Sequence, residues 1–147
     1  SLTSNNTLQL IPGLSATITP KFNTSKILVQ VVFHASIGGN YAGHYLTLRR
    51  GGTDINIGDA AGSRIRGSLA LQSATFWDDN SGANYSMGQA SLNFLDSPAT
   101  TSATTYGLYH ADADGTNALY VNRSRTDGDG ASYIRVASTI TLMEVSV

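Results

Sequence analysis

Apolar and polar residues alternate along most of the chain in short runs, which are separated by clusters of Gly, Asn, Asp or Pro. A period of two is typical of antiparallel strands joined by turns. The pattern predicts an all-β, antiparallel, jelly-roll-like β-sandwich of about eight to ten strands. A length of 147 residues suits one core. We therefore expect residues 14–147 to form a single domain, preceded by residues 1–13 as an N-terminal linker or first short strand.

Two features of this pattern are the most specific. Residues 27–35 are largely apolar on both faces, which predicts a central strand covered on both sides. Gly51 and Gly52 stand between the alternating runs 45–50 and 53–57. Because both glycines can adopt a positive φ, this arrangement predicts a tight β-hairpin.

The other strands are expected in two short runs around Pro12-Gly13 and at residues 64–76, 85–95, 104–110, 118–123 and 133–147. In the last run, both alternating sets of side chains become small or apolar towards the end. We therefore expect the C-terminal strand to be buried in the sheet or at the centre of an oligomer.

The composition supports the β interpretation and excludes several function classes. Only 13% of the residues are charged, whereas 17 Ser, 16 Thr, 10 Asn and 15 Gly fill the polar positions, which excludes a helical bundle. A net charge of −1 supplies no field for a nucleic-acid backbone. The longest strongly apolar run is far shorter than the roughly 20 residues of a membrane span. With no cysteine, robustness must come from packing or oligomerisation.

The few charges are unevenly distributed. Residues 1–73 carry six Lys or Arg and two Asp (+4), whereas residues 74–147 carry three Arg, seven Asp and one Glu (−5). Arg forms bidentate hydrogen bonds with carboxylates and is better suited to interfaces than Lys. We expect the arginines to meet Asp96, Asp127 or Asp129 across strands or subunits and so to fix the register of an assembly. The residues interpreted as subunit contacts are Arg49, Arg64, Arg66, Arg123, Arg125, Asp127 and Asp129. Solvated surface pairs and an anionic-glycan or phosphate site are the alternatives.

A ligand site is predicted in two loops that carry aromatic residues. Trp77 offers a ring face for a sugar, and the Asp and Asn residues after it offer acceptors for sugar hydroxyls. The alternative is that Trp77 caps one end of the core. The predicted ligand-binding residues are Tyr41, His44, Trp77, Asp78, Asp79, Asn80 and Tyr85.

Catalysis and metal binding have less support in the sequence. No local motif ties any of the three His residues to a nucleophile or carboxylate, so no catalytic residue is predicted. Two Asp-Gly segments, 112–117 and 127–130, space oxygen ligands two residues apart, but both lack the Glu that completes an EF-hand. They are interpreted as β-turns, and no metal or cofactor is predicted.

Several short strings resemble virion-associated, fibre-like C-terminal domains of marine bacteriophages. They are Ser25-Lys26-Ile27-Leu28-Val29, Arg50-Gly51-Gly52-Thr53, Gly62-Ser63-Arg64, Leu95-Asp96-Ser97-Pro98-Ala99-Thr100-Thr101, Asn122-Arg123-Ser124 and Ala137-Ser138-Thr139-Ile140-Thr141. The apolar C-terminal run is also similar, at the level of fold only, to the last strand of C1q/TNF-like trimeric jelly rolls. The resemblance implies a homotrimeric fibre tip or capsid decoration on the virion surface.

These observations lead to one expectation about function and three alternatives. We expect a non-enzymatic virion domain that is a homotrimer and binds a receptor such as a host-surface glycan, without nucleic-acid binding or membrane insertion. A stand-alone carbohydrate-binding module or lectin would instead bind sugar as a monomer. A purely structural subunit would assemble without a ligand, and a glycosidase or esterase is the enzymatic alternative.

Overall fold

The computed structural model describes residues 1–2, 6–38, 43–71 and 85–146, and this part of the chain forms nine β-strands. Their bounds are β1 (Gln9–Ile18), β2 (Lys26–Ile37), β3 (His44–Arg50), β4 (Thr53–Ile55), β5 (Leu69–Ala70), β6 (Gly88–Asp96), β7 (Thr104–Asp112), β8 (Leu119–Val121) and β9 (Thr139–Val145). In the described ranges, no helix has the length and apolar character needed to cross a membrane.

The strands form two antiparallel sheets. The first sheet has the order β1-β7-β3-β4, and β5 also pairs with β3. In the second sheet, β2 pairs with β6 on one side and with β9 and β8 along successive parts of its other side. The predicted all-β sandwich is therefore confirmed, whereas the jelly-roll topology stays a prediction.

The core lies between the two sheets, and both contribute alternate residues to it. From Lys26 to Ala35 on β2 the buried side chains are the odd-numbered ones, as a period of two requires, and Ser36 is buried as well. The odd-numbered side chains pack with inward residues of the first sheet in one cluster, whose largest members are Tyr106, Phe33, Ile11, Ile27, Ile37, Leu46, Leu48, Leu71, Leu108 and Leu119.

The central strand differs from the prediction in one respect. β2 does lie inside its sheet, but only one of its faces is fully covered. Leu28 and Val32, on the other face, are half-buried because no further layer of the described chain covers them. The expectation that β2 is covered on both sides is wrong for this chain by itself.

The predicted hairpin is confirmed. β3 and β4 are joined by Gly51 and Gly52, whose φ values are 54° and 90°. Positive φ at both central residues matches the right-handed twist of the flanking strands, which explains why two glycines occupy the turn.

A long strand over residues 64–76 is not what the described part of this segment forms. Only Leu69 and Ala70 are in a strand there, while residues 72–76 lie outside the described residues. Residues 58–67 instead form a loop closed at its base by the Gly58 N–H, which donates to the Gly67 carbonyl at 3.2 Å. The alternation of apolar and polar residues does not produce a strand here, because the loop backbone forms a hydrogen bond within the loop and not with a neighbouring strand.

The first and last strands have bounds that differ from the predicted ones. β9 begins only at Thr139 and pairs with β2. Its exposed residues alternate with half-buried ones, because one face of the strand points to the core and the other points away from it. β1 runs through Pro12-Gly13 with a register shift between Leu10 and Ser15, so the expected boundary at residue 13 falls inside a strand. Leu2 pairs with Leu119 and thus belongs to the fold.

Candidate functional site

Most of the predicted ligand-binding residues cannot be placed. Tyr41, Trp77, Asp78, Asp79 and Asn80 lie outside the described residues, so their role stays a prediction. The structure places the other two, His44 and Tyr85, and they have very different surroundings.

His44 is fully buried and not exposed in a loop as the sequence suggested. It begins β3 on the same inward face as Leu46. Its Nδ1 lies 2.7 Å from Nε2 of His110, which is also buried, and the two rings stack with centroids 4.9 Å apart. His44 Nε2 has no hydrogen-bond partner among the described residues. The side chain is therefore part of the core and inaccessible to a surface ligand.

The electrostatics of this histidine pair follow from burial. Burial, together with the neighbouring His44 ring, lowers the pKa of His110 from 6.5 to about 4, although the Asp112 carboxylate acts in the opposite direction. Burial also lowers the pKa of His44, against the carboxylates of Asp112 and Asp114. Both rings are consequently neutral near pH 7, and one nitrogen of the contact donates while the other accepts.

Tyr85 lies on the surface with half of its area exposed. Its ring lies 5.1 Å from that of Tyr133, at an interplanar angle of 58°. The Tyr133 ring in turn lies so close to Gly128 that a Cβ there would be 2.6 Å from it. Tyr85 therefore belongs to a partly exposed aromatic pair that lies beside Gly128, a contact that sequence separation concealed. The turn predicted at residues 127–130 is not formed there, since the nearest turn hydrogen bond runs from the Tyr133 N–H to the Gly130 carbonyl.

Several of the predicted Arg and Asp contacts are made within the chain. Asp127 accepts two hydrogen bonds from Arg135 Nη2, at 2.6 and 2.7 Å, and lies 3.9 Å from Arg123 Nε. Arg49 Nε lies 2.7 Å from Asp54 Oδ1. Arg125 and Asp129 are exposed. The Arg49–Asp54 pair joins two strands, the Asp127 contacts lie outside the strands, and a role of these charges between subunits stays a prediction.

The most buried ion pair of the described residues joins Arg50 and Asp96, one of the carboxylates that the arginines were expected to meet. Asp96, at the end of β6, accepts hydrogen bonds from Arg50 Nη1 at 2.7 and 2.9 Å and from the Tyr106 hydroxyl at 2.6 Å. Burial and the Asp96 hydrogen bond raise the pKa of Tyr106. Since Arg50 and Tyr106 belong to the first sheet and Asp96 to the second, this cluster ties the sheets together.

Arg64 and Arg66 occupy a different position. Both line an open groove of about 330 Å³ between the 58–67 loop and the ends of β3 and β5. No carboxylate of the described ranges lies within ion-pair distance of either side chain. Asp59 lines the same groove, as do Tyr45 and Ile65. This groove combines unpaired positive charge with apolar and hydroxyl-bearing walls.

The turn interpretation of residues 112–115 is confirmed. The Gly115 N–H donates to the Asp112 carbonyl at 3.0 Å, and Gly115 has a φ of 65°. The Asp112 carboxylate accepts the N–H groups of Asp114, Thr116 and Asn117 at 2.9 to 3.2 Å. Burial alone would raise the pKa of Asp112, but these donors, together with His44, outweigh it and lower the pKa. Its oxygens are thereby committed to the backbone.

No cluster of three or more His, Cys, Asp or Glu residues in the described part of the chain could hold a metal ion. The class of protein that fold and geometry define is an antiparallel β-sandwich with an Arg-lined groove beside one sheet. Compared with known protein families and with curated proteins, the chain matches neither a family model nor a curated sequence.

Proposed function

We propose that this chain is a non-enzymatic domain of a bacteriophage virion, a fibre tip or capsid decoration, which assembles as a homotrimer and binds a host-surface glycan. The virion assignment rests on the short strings that resemble phage fibre-like domains. A jelly-roll topology belongs to the same proposal. The observation that carries the assembly is the composition of one exposed sheet face.

That surface, the outer face, is the side of the second sheet turned away from the core. A row of apolar residues crosses three of its strands in register, because Leu28 pairs with Leu95 on one side and Met143 on the other. Leu95 is 46% exposed and Met143 42%. On β2, β6 and β9, the side chains of the outer face are Lys26, Leu28, Gln30, Val32, His34, Gln89, Ser91, Asn93, Leu95, Thr139, Thr141, Met143 and Val145.

The outer face suits contact with further copies of the same chain. Lys26 is the one Lys, Arg, Asp or Glu among these side chains, so copies that meet there bury few unpaired charges. Short polar residues such as Ser, Thr and Asn lose little conformational entropy on burial. Exposed apolar residues in a continuous row are typical of interaction surfaces. Three weak glycan sites on one trimer would then gain avidity through effective concentration.

Solution mass tests the assembly. We expect a particle of about three times the 15.5 kDa chain mass by light scattering. Leu95→Arg places a charge in the apolar row and should shift the mass towards the monomer. Thr53→Arg, at an exposed site on the other sheet, is the matched control and should leave the mass unchanged. A wild-type monomer contradicts the trimer.

A glycan screen of the wild type and of Trp77→Ala tests the receptor role. Binding that weakens in Trp77→Ala supports the predicted loop site, and unchanged binding dismisses that site. A trimer that binds no glycan corresponds to a purely structural subunit. A monomer that binds sugar corresponds to a stand-alone lectin, the candidate that the Arg-lined groove by itself would favour.

A further inference from the structure

We propose that the groove beside the 58–67 loop binds an acidic saccharide, whose carboxylate is held by Arg64 and Arg66. This inference deepens the proposed function by naming the ligand class, and it rests on that function only for the role of the saccharide as a receptor. The inference depends on the rigidity of the loop, on its unpaired charge and on its apolar wall.

The loop is fixed at both ends before any ligand arrives. Gly58 and Gly67 are joined by a backbone hydrogen bond, and Arg66 Nε donates to the Gly58 carbonyl at 2.6 Å. Directly after the loop, the Ser68 N–H donates to the Leu46 carbonyl at 2.7 Å. The Ser68 hydroxyl accepts the Leu48 N–H at 2.9 Å. A loop anchored in this way loses little conformational entropy when it binds a ligand.

The two guanidinium groups are available to an anion. Arg66 uses Nε on Gly58 and retains its two terminal nitrogens as donors, while Arg64 Nη1 has a long contact of 3.3 Å with the Ala61 carbonyl. By contrast, Arg49, Arg50, Arg123 and Arg135 each lie beside a carboxylate. Arg forks match the geometry of carboxylates in charge-assisted hydrogen bonds. Among the described residues, neither Arg64 nor Arg66 has the carboxylate partner that these four arginines have, and Asp59 lines the groove outside ion-pair distance.

The remaining walls indicate a sugar and not a free anion. Ile65 is 55% exposed although it is large and apolar, and it lines the groove together with Leu69 and Tyr45. Such surfaces contact the C–H faces of sugar rings, while the Asp59 carboxylate can accept sugar hydroxyls. A volume of about 330 Å³ is at the lower end of the range for small-molecule sites.

A second groove shows why the arginine pairing matters. It has about 400 Å³ and is lined by Arg50, Pro98 and several Thr residues. Its one charged residue, Arg50, is already neutralised by Asp96 at 2.7 Å. An anion placed there would compete with a buried carboxylate, so we assign the acidic ligand to the 58–67 groove.

Calorimetric titration with two trisaccharides tests the inference. Galacturonate trisaccharide carries carboxylates and galactose trisaccharide does not, so we expect the wild type to bind the first at least about tenfold more tightly. Arg64→Gln should weaken galacturonate binding by about tenfold or more. Arg125→Gln removes the same charge from an exposed site outside the groove and should change the binding less than about twofold. Ala61→Phe narrows the groove without a change of charge and should abolish galacturonate binding.

Each contrary result overturns the inference in a recognisable way. Equal binding of the two trisaccharides removes the carboxylate from recognition. Equal loss in Arg64→Gln and Arg125→Gln indicates general electrostatic attraction and not a site. Inorganic phosphate or sulfate that binds as tightly as galacturonate replaces the saccharide with a simple anion. If neither trisaccharide binds while the wild type is trimeric, the inference fails and the proposed assembly stands.

Discussion

The Tyr106 hydroxyl lies 2.6 Å from Asp96 Oδ2, and this hydrogen bond connects β7 of one sheet with β6 of the other. Arg50 donates to the same carboxylate from β3. The arrangement stabilises the sandwich at one end, where an acidic side chain replaces apolar packing. Its stability is therefore sensitive to the loss of any one member.

Asp96→Ala is expected to lower the free energy of unfolding by about 2 to 4 kcal/mol, because it leaves the Arg50 guanidinium and the buried Tyr106 hydroxyl without their acceptor. Urea unfolding measures the change. Asp54→Ala serves as the control. It removes the partner of Arg49 from an ion pair that is more exposed than Arg50–Asp96, so the expected loss of unfolding free energy is below about 1 kcal/mol. Equal losses in both variants would contradict the special position of Asp96.

The buried histidine pair predicts loss of stability in mild acid. The folded state keeps His110 at a pKa of about 4, below the usual 6.5, so the unfolded chain binds more protons between these pH values. The contribution of the neutral His110 ring to stability is fully present above pH 6.5 and is lost as the pH is lowered towards 4. The shift corresponds to about 3 kcal/mol. Unfolding free energies measured from pH 7.5 to 4 test this expectation.

Substitution of the pair provides the control for that measurement. In a His44→Leu, His110→Leu double variant, two apolar side chains replace two buried imidazoles, and stability should vary much less between pH 6.5 and 4. His34→Gln, on the outer face, should retain the wild-type dependence. An unchanged pH profile in the double variant would assign the acid sensitivity to other groups.

Substitution of Gly52 is expected to destabilise the Gly51-Gly52 turn through its backbone conformation and not through a steric clash. A Cβ at Gly52 would have no atom within 4 Å, yet its φ of 90° is unfavourable for a β-branched residue. Gly52→Val should therefore lower the melting temperature, at a cost of about 1 to 2 kcal/mol. Gly51→Asn is the control, since Asn tolerates a φ near 54° and should cost less than about 0.5 kcal/mol. Equal effects would indicate that the turn changes its conformation.

The Asp112 carboxylate predicts a local effect on the 112–117 turn. Asp112→Ala removes the acceptor of three backbone N–H groups and should cost about 2 kcal/mol or more. Hydrogen exchange of the Thr116 and Asn117 amides should accelerate with it. Asp114→Ala, which removes an exposed carboxylate two residues later, should leave these rates close to those of the wild type.

The sequence pattern predicted the fold class and the local features that depend on neighbouring residues. The Gly51-Gly52 hairpin follows from two adjacent residues, and the buried face of β2 follows from its period of two. The pattern failed at residues 64–68, because alternation does not reveal whether a backbone finds a partner strand. At β9 the expected burial within the sheet is wrong, because its side chains are exposed or half-buried, whereas burial at the centre of an oligomer stays a prediction.

Contacts between distant residues could not be derived in this way. His44 and His110 are 66 residues apart, and the available signal was that each shares the inward parity of neighbouring core residues such as Leu46 and Leu108. Asp96 was expected to meet an arginine, but its burial could not be derived, because it depends on Arg50 and Tyr106 from the opposite sheet. Likewise, the sequence does not reveal that Arg64 and Arg66 line a groove, or that among the described residues no carboxylate lies beside them as one does beside Arg49, Arg50, Arg123 and Arg135.

The pairing of β2 also determines when this domain can fold during synthesis. Lys26 pairs with Val145, and Ile27 with Asp96, so the first strand of the second sheet has no neighbour until most of the chain has left the ribosome. Closure of such long loops is slow and entropically costly. During that interval the most apolar strand of the protein is unpaired, which makes it a natural target for a chaperone or for premature association between nascent copies.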